Sequence, residues 1–187
     1  MDLIILGAPG SGKGTQGALL STRLGIPRIS TGDLLRAAVK DGAPLGKKAK
    51  QYMDQGLLVP DDVILGLIAE VLRSADARNG VLMDGFPRTL AQAEAVDALL
   101  AAQGRVVDRV LLIDVPEDAL IERMVKRAVI EGRADDTPET IRRRQRVYHE
   151  QTAPLVAFYE ERGLVARVDG FGTVEEIAER MHEAVPA

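Results

Sequence analysis

The stretch GAPGSGKGT, residues 7–15, follows the apolar run of residues 3–6 and contains four glycines, one proline and one lysine. It has few side chains to bury, so packing alone does not explain it. Glycine lets the backbone curl until successive N–H groups point inward, which forms a nest for phosphate oxygens. A helix after such a loop adds unpaired N–H groups and the positive end of its dipole. The stretch therefore predicts a phosphate-binding loop between a strand and a helix that begins near Lys13.

The spacing within this loop is Gly7-x4-Gly12-Lys13, and Lys13 would place a point charge near the outer phosphates. The strict pattern has serine or threonine directly after the lysine, whereas here Gly14 follows and Thr15 comes one position later. The alternative is a glycine-rich turn that holds no ligand. The position between a predicted strand and a predicted helix favours the phosphate loop.

The composition indicates a single globular domain. The chain has 187 residues, of which 46% are hydrophobic and 28% are charged, and its formal net charge is −4. This charge argues against a general nucleic-acid binder, and no cysteine is present to form disulfides or thiolate metal sites. No apolar stretch approaches the ~20 residues of a membrane span, and the N-terminus lacks a basic segment. We therefore expect a cytoplasmic protein without membrane or nucleic-acid partners, and a monomer by default.

Short apolar runs alternate with amphipathic stretches along the chain. The predicted strands are residues 3–6, 26–29, 81–83, 110–115 and 164–168. Capping boxes, which start helices, are predicted at residues 30–33, 89–92 and 173–176. Strands that are apolar throughout and separated by helices imply a parallel sheet covered on both faces. We predict a three-layer α/β/α fold with a five-stranded parallel sheet, interrupted by extra helices at 30–59 and a charged loop at 126–136.

Five stretches, in order along the chain, resemble the adenylate kinase family of nucleoside monophosphate kinases. They are GAPGSGKGT (7–15), STGDLLR (30–36), DGFPRT with Gln92 (84–92), RADDTPETIRRR (133–144) and VDGFGTVEE (168–176). The resemblance implies reversible transfer of the γ-phosphoryl group from ATP to AMP, giving two ADP, with Mg²⁺ accompanying ATP. Residues 30–59 would then be the insertion that binds the monophosphate, and residues 126–136 a short lid. Because the chain has no cysteine, no structural zinc is expected.

The resemblance also implies which residues contact ATP. Arg123 would stack on the adenine, Arg127 would reach the phosphates, and Gly172 would lie near the adenine through its carbonyl group. Arg123 and Arg127 are four residues apart on the helix predicted after Pro116, so both project from one face. The expected ATP-binding set is Gly10, Ser11, Gly12, Lys13, Gly14, Thr15, Arg123, Arg127 and Gly172.

Asp84 ends the apolar run of residues 81–83 and resembles the acidic residue that faces the magnesium ion of ATP. Magnesium keeps several waters in such sites, so Asp84 is expected to act through one of them. Thr15 is the other candidate near the ion. The alternative role of Asp84 is to cap the next turn through Gly85 and Pro87.

A second group of residues would bind AMP. Arg36 and Arg88 offer planar forks that suit the oxygens of a monophosphate. By resemblance, Thr31 and Gln92 would recognise the base. The alternative for Gln92 is to satisfy a helix end, as the fourth residue of the capping box at Thr89. The expected AMP-binding set is Thr31, Arg36, Leu57, Leu58, Val59, Gly85, Phe86, Pro87, Arg88, Gln92, Arg133 and Arg144.

Arg144 lies on a helix predicted to start near Pro138, on the stripe that should face the protein body. The other members of this stripe are Ile141, Tyr148, Leu155 and Phe158. An inward arginine needs an anion, because an unpaired buried charge is costly. Either Asp135 or Asp136 pairs with Arg144, or, as the resemblance implies, Arg144 contacts the phosphoryl group that is transferred.

The expected chemistry is the neutralisation of two polyanions that must be held in line. A monophosphate is already ionised near neutral pH, so its oxygen attacks without a general base. The expected catalytic set is Lys13, Arg88, Arg127, Arg133 and Arg144, assisted by Mg²⁺. The other polar residues of these helices, Arg142, Arg143, Arg146, His149 and His182, are expected to be structural. Two alternatives stay open: a UMP/CMP kinase of the same fold, which Thr31 and Gln92 disfavour, and an ATP-binding switch that transfers nothing.

Overall fold

The structure is a computed structural model that describes residues 1–130 and 137–186, without the side chains of residues 127–130. Its strands are β1 (Asp2–Leu6), β2 (Arg28–Ser30), β3 (Val81–Asp84), β4 (Arg109–Asp114) and β5 (Val165–Asp169). Its helices are α1 (Lys13–Leu24), α2 (Thr31–Lys40), α3 (Pro44–Met53), α4 (Asp61–Leu72), α5 (Leu90–Ala101), α6 (Glu117–Ile130), α7 (Pro138–Val147), α8 (Pro154–Glu160) and α9 (Val174–Glu183). A short 3₁₀ turn (Ala75–Ala77) precedes β3, and a π-helical turn (Tyr148–Thr152) joins α7 to α8.

The five strands form one parallel sheet in the order β2-β3-β1-β4-β5. The central strand β1 is buried along its whole length, as its apolar sequence predicts. Ile4 and Leu6 pack into the core with residues of α4, α5 and α8, whereas Leu3 and Ile5 pack into the core with residues of α1, α6 and α9. Helices therefore cover both faces of the sheet, and the predicted three-layer α/β/α fold is confirmed.

The strand β2 begins two residues later and ends one residue later than predicted. Gly25 ends α1 with φ of 64°, and the N–H of Ile26 still donates to the carbonyl of Ser21 at 3.3 Å, so residue 26 belongs to the end of the helix. Pro27 has no N–H to give to a ladder. The strand therefore begins at Arg28 and runs to Ser30, whose hydroxyl caps α2.

The strands β1 and β3 end at the same edge of the sheet, since both are parallel neighbours. The glycine-rich loop leaves the sheet after Leu6, and Asp84 is the last residue of β3. In open α/β sheets, ligands bind outside the carboxyl ends of the strands. The fold thus places the two strongest motifs of the sequence side by side at the edge where a ligand is expected.

Between β2 and β3 the chain forms α2 and α3, which lie within the region predicted as an insertion at 30–59, and α4, which begins just after it at Asp61. The helices α2 and α3 cross closely at Gly46, where a Cβ would stand 2.1 Å from the carbonyl oxygen of Ala38. The predicted lid at 126–136 lies largely outside the described residues, and so do Arg133, Asp135 and Asp136. Among the described residues, every helix is too short or too polar to cross a membrane.

Candidate active site

The glycine-rich loop adopts a backbone that only glycine accepts readily. Gly10 has φ of 91°, and a Cβ there would stand 2.6 Å from the carbonyl oxygen of Leu120 in α6. Gly12 has φ of 94° and caps α1 without a side chain of its own. Between them, Ser11 is 1% exposed and its N–H donates to the carbonyl of Ala8 at 3.0 Å. The loop is therefore a tight turn that leads directly into the N-terminus of α1, as the sequence predicts.

The ammonium group of Lys13 is oriented by the loop itself. Its Nζ donates to the carbonyl oxygens of Gly7 at 2.6 Å and Ala8 at 2.9 Å. The first turn of α1, which includes Lys13 and Thr15, lines the cleft described below. The loop thus concentrates backbone N–H groups and one cation at the carboxyl edge of β1, an arrangement that suits phosphate oxygens.

Asp84 is paired with an arginine that the sequence analysis missed. Arg28 in β2 donates from Nη1 to the Asp84 carboxylate at 2.9 Å and to the carbonyl of Gly14 at 2.8 Å. Its Nη2 also forms an ion pair with Asp33 in α2, and Asp33 accepts from Arg36 at 2.5 Å. Arg28 therefore joins the end of β3 to α1 and α2. Asp84 is 56 residues from Arg28, so no local pattern could have revealed this pair.

The donor set near Asp84 fits a magnesium ion that keeps most of its waters. Asp84 lies in the wall of the cleft with its side chain 8% exposed, and Thr15 lines the same cleft. In the described parts of the chain, no group of three or more acidic, histidine or cysteine side chains gathers to enclose a metal. One or two protein oxygens, completed by waters and phosphate oxygens, are the usual environment of Mg²⁺ with a nucleotide.

The turn after β3 brings together Thr31 and Arg88. The carbonyl of Gly85 accepts from the Thr31 hydroxyl at 2.8 Å and from Nε of Arg88 at 2.7 Å. Gly85 has φ of 74°, and the peptide bond between Phe86 and Pro87 is cis. Burial lowers the pKa of the Arg88 guanidinium, Asp84 opposes this effect, and the nearby positive charges of Arg144 and Arg36 add to it. Arg36 and Arg144, from distant parts of the sequence, therefore lie close enough to Arg88 for their charges to act on it, and such a cluster of cations suits an anionic ligand.

Gln92 forms only half of the predicted capping box. The hydroxyl of Thr89 accepts from the Gln92 N–H at 3.2 Å, as expected. The Gln92 side chain, however, does not return to the N–H of Thr89: its Oε1 accepts from the N–H of Arg88 at 2.8 Å. Its Nε2 donates to Asp61 at 2.6 Å, a contact that the sequence analysis did not anticipate.

Of the other two predicted capping boxes, the one at Thr173 and Glu176 is complete. Ser30 caps α2 without the reciprocal bond, because the Asp33 side chain pairs with arginines.

The helix α7 carries Arg144 on its inner side. Ile141 and Leu155 are buried, and Arg144, Tyr148 and Phe158 are half-buried, so the predicted stripe faces the protein body. The neighbouring Arg142, Arg143 and Arg146 are exposed, as expected.

Among the predicted ATP contacts, Arg123 donates from Nη2 to the carbonyl of Gly170 at 3.0 Å. The side chains of Arg127 and Arg133 lie outside the described residues.

These groups surround one cleft with a volume of about 860 Å³. It is lined by Gly10, Gly12, Lys13, Gly14, Thr15, Thr31, Arg36, Leu57, Leu58, Val59, Asp84, Gly85, Pro87, Arg88, Gln92, Arg123 and Arg144, all of them predicted site residues. Unpredicted polar residues of the lining include Arg28, Asp33, Lys126 and Tyr148. Among the predicted residues whose side chains the structure describes, three do not line it: Ser11 is buried beneath the loop, Phe86 packs in the core, and Gly172 is exposed in the loop before α9.

The cleft is strongly cationic although the chain is acidic. Of the described residues that line it, seven are basic (Lys13, Arg28, Arg36, Arg88, Arg123, Lys126 and Arg144) and two are acidic (Asp33 and Asp84). The whole chain has a net charge of −4. Basic residues concentrated in a concave site raise the local concentration of anionic ligands and slow their escape.

Comparison with known proteins agrees with this geometry. Residues 5–164 match the family model described as adenylate kinase. The chain is 51% identical to an adenylate kinase of Xanthomonas campestris pv. campestris and 51% identical to one of Stenotrophomonas maltophilia. An adenylate kinase of Xanthomonas oryzae pv. oryzae is 50% identical, and each alignment covers 99% of both chains. The chain therefore belongs to the adenylate kinase family of phosphotransferases.

Proposed function

We propose that this chain transfers the γ-phosphoryl group of ATP to AMP, reversibly and with Mg²⁺, so that two ADP are formed. The observation that supports this most is the cleft itself, where seven basic side chains meet a phosphate loop in a protein of net charge −4. Two nucleotides together bring many negative charges, which repel each other until cations surround them. Family membership and the cationic cleft thus support the same activity.

On the donor side, the N–H groups at the start of α1 and the ammonium of Lys13 would hold the ATP phosphates. Arg123 would lie against the adenine, with Arg127 and Arg133 on the phosphates. Asp84 and Thr15 would hold Mg²⁺, Asp84 through a water. When bound, the ion would offset the charge on the phosphate oxygens. The side chains at this end of the cleft orient the donor and need not exchange protons with it.

On the acceptor side, Arg36 and Arg88 would hold the monophosphate, and Thr31 and Gln92 would recognise its base. The backbone of residues 57–59 and of Gly85 would complete this part of the cleft. Arg144 and Arg88 would then stand between the two nucleotides and stabilise the charge of the phosphoryl group in transit. One such arginine contributes roughly 10³–10⁵ in rate in other phosphoryl-transfer enzymes.

Water competes with AMP as the acceptor, so the site should close before the reaction. Residues 30–59 and 126–136 would be the parts that move, as the monophosphate-binding insertion and the short lid. The protein would act as a monomer in the cytoplasm. The large apolar side chains that are exposed in the described ranges belong to several different elements, which supports the monomer.

The product of mixing the purified chain with Mg-ATP and one monophosphate at a time tests this proposal. AMP should give ADP much faster than UMP, CMP or GMP. A clear preference for a pyrimidine monophosphate would contradict AMP as the acceptor. ATP hydrolysis that AMP leaves unchanged, without phosphoryl transfer, would instead indicate a nucleotide-dependent switch.

A further inference from the structure

The side-chain amide of Gln92 is hydrogen bonded on one side to a donor and on the other side to an acceptor. Its Oε1 accepts from the backbone N–H of Arg88 at 2.8 Å, and its Nε2 donates to Asp61 Oδ1 at 2.6 Å. Asp61 is the first residue of α4, and its other oxygen lies 3.5 Å from the hydroxyl of Thr89. Gln92 lines the cleft, whereas Asp61 does not. Asp61 can therefore influence a ligand in the cleft through Gln92, which contacts both.

These two contacts fix the orientation of the Gln92 amide, with its oxygen toward Arg88 and its nitrogen toward Asp61. A backbone N–H can only donate and a carboxylate can only accept. If the amide turned over, its NH₂ group would face the N–H of Arg88 and its oxygen would face the carboxylate of Asp61. Both contacts would be lost and four polar groups would be left without partners in a site where Gln92 is 2% exposed. The orientation of the amide is thus fixed by chemistry.

An amide fixed in this way still has capacity for a ligand. The oxygen has two lone pairs and the nitrogen has two hydrogens, so one acceptor and one donor remain after the contacts with Arg88 and Asp61. The edge of adenine presents an amino donor at position 6 and an acceptor at N1. Hypoxanthine and guanine present the reverse, an oxygen acceptor at position 6 and a donor N1–H. For a purine held in one position, a fixed amide matches only one of these two patterns.

We propose that Asp61 is a positioning residue that sets the base preference of the acceptor site. By holding the amide of Gln92 in one orientation, it favours a 6-aminopurine monophosphate over a 6-oxopurine monophosphate. This inference rests on the proposed function, in which Gln92 recognises the base of the acceptor. With Asn at position 61, the partner could donate as well as accept, so its contact with Gln92 would no longer favour one orientation of the amide.

The experiment compares AMP with inosine monophosphate, which differs from AMP only at position 6 and in the N1–H. Dissociation constants from calorimetry and kcat/KM values are measured for both nucleotides with the wild type and with Asp61→Asn. The preference ratio, which is kcat/KM for AMP divided by kcat/KM for inosine monophosphate, should fall by about tenfold in the variant. The corresponding ratio of affinities should fall equally, since this is the size expected for one well-placed pair of hydrogen bonds. If Asp61→Asn does not fold, Asp61→Ala, which removes the partner altogether, should show the same fall.

Asp62→Asn is the matched control, because it removes the same charge from the same turn of α4. Asp62 is exposed and forms an ion pair with Lys48 at 3.8 Å. The control should leave the ratio unchanged. In the Gln92→Ala background, Asp61→Asn should also leave the ratio unchanged, because the group through which it acts is gone.

The proposal is overturned if Asp61→Asn weakens both nucleotides equally, if Asp62→Asn lowers the ratio as much, or if the effect persists without Gln92. Failure of the proposed function has a different signature. A wild type that does not prefer AMP to inosine monophosphate contradicts base recognition at this site before any variant is made. A wild type that prefers AMP, with a preference that Asp61→Asn leaves intact, contradicts the role of Asp61 alone.

Discussion

Arg88 and Arg123 share one feature, since each guanidinium donates to a backbone carbonyl: that of Gly85 and Gly170, respectively. A carbonyl orients a cation through its dipole but carries no full negative charge. The positive charge therefore stays available for a phosphate oxygen in a group that is already in place. Preorganised charge of this kind is worth more in transition-state stabilisation than charge that must first be turned toward the ligand.

Arg144→Ala is the substitution expected to damage catalysis most selectively. Arg144 lies on the inner side of α7 and lines the cleft, so its loss should lower kcat by ~10³ or more while ATP affinity changes only modestly. Steady-state kinetics and a separate ATP-binding measurement test this. Arg143→Ala, one residue away and exposed, is the control and should change kcat less than about threefold. A fall of less than tenfold for Arg144→Ala would assign Arg144 a structural role.

Asp33 should make stability depend on pH in the acid range. Burial tends to raise the pKa of Asp33, but hydrogen bonds from Arg36 and Ser30 and the charges of Arg36 and Arg28 outweigh it and hold the pKa below its usual value of 3.8. An aspartate whose pKa is lowered by folding stabilises the folded protein at pH values above the pKa of the unfolded chain. This stabilisation is lost as the pH falls through the lower pKa of the folded protein. The difference in free energy of unfolding between wild type and Asp33→Asn should therefore be constant above about pH 5 and shrink below about pH 4. Urea titrations across this range test it, and a difference independent of pH would contradict it.

At the scale of elements, the sequence predicted those features that depend on residues close together in the chain. The glycine-rich loop, the five strands and the inner stripe of α7 depend on neighbouring residues. The strands lie within one residue of the expected bounds, apart from β2, which begins two residues late. Arg28 and Asp61 were missed because their partners, Asp84 and Gln92, lie 56 and 31 residues away. Contacts across such distances depend on which strands become neighbours in the sheet, as β2 and β3 do, and on which helices pack together, as α4 and α5 do. Neither can be obtained from the period of apolar residues.

Arg28 should stabilise the junction of β2, β3, α1 and α2. Its partner Asp84 has a side chain only 8% exposed, so Arg28→Gln would leave a buried carboxylate without its cation. We expect the free energy of unfolding to fall by about 2 kcal/mol. Arg23→Gln is the matched control, because the pair of Arg23 with Glu179 is exposed and should contribute less than about 0.5 kcal/mol. Equal losses for the two variants in urea unfolding would show that Arg28 does not hold this junction.

At the scale of the whole molecule, an acidic chain encloses a basic cleft between the carboxyl edge of its sheet and the helices α2, α6 and α7. The overall negative charge keeps other surfaces from competing for nucleotides, while the cleft concentrates them. The basic residues come from positions 13 to 144, so only the folded chain creates the site. The account as a whole therefore depends on both nucleotides lying in this one cleft.

A crystal structure with a bisubstrate mimic, two adenosines joined through a chain of phosphates, tests this claim most directly. The account predicts that the phosphate chain lies against the N–H groups at the start of α1, within hydrogen-bonding distance of Lys13, Arg88 and Arg144. One adenine should approach Arg123 and the other Gln92. A mimic bound elsewhere, with these cations turned to solvent, would contradict the account.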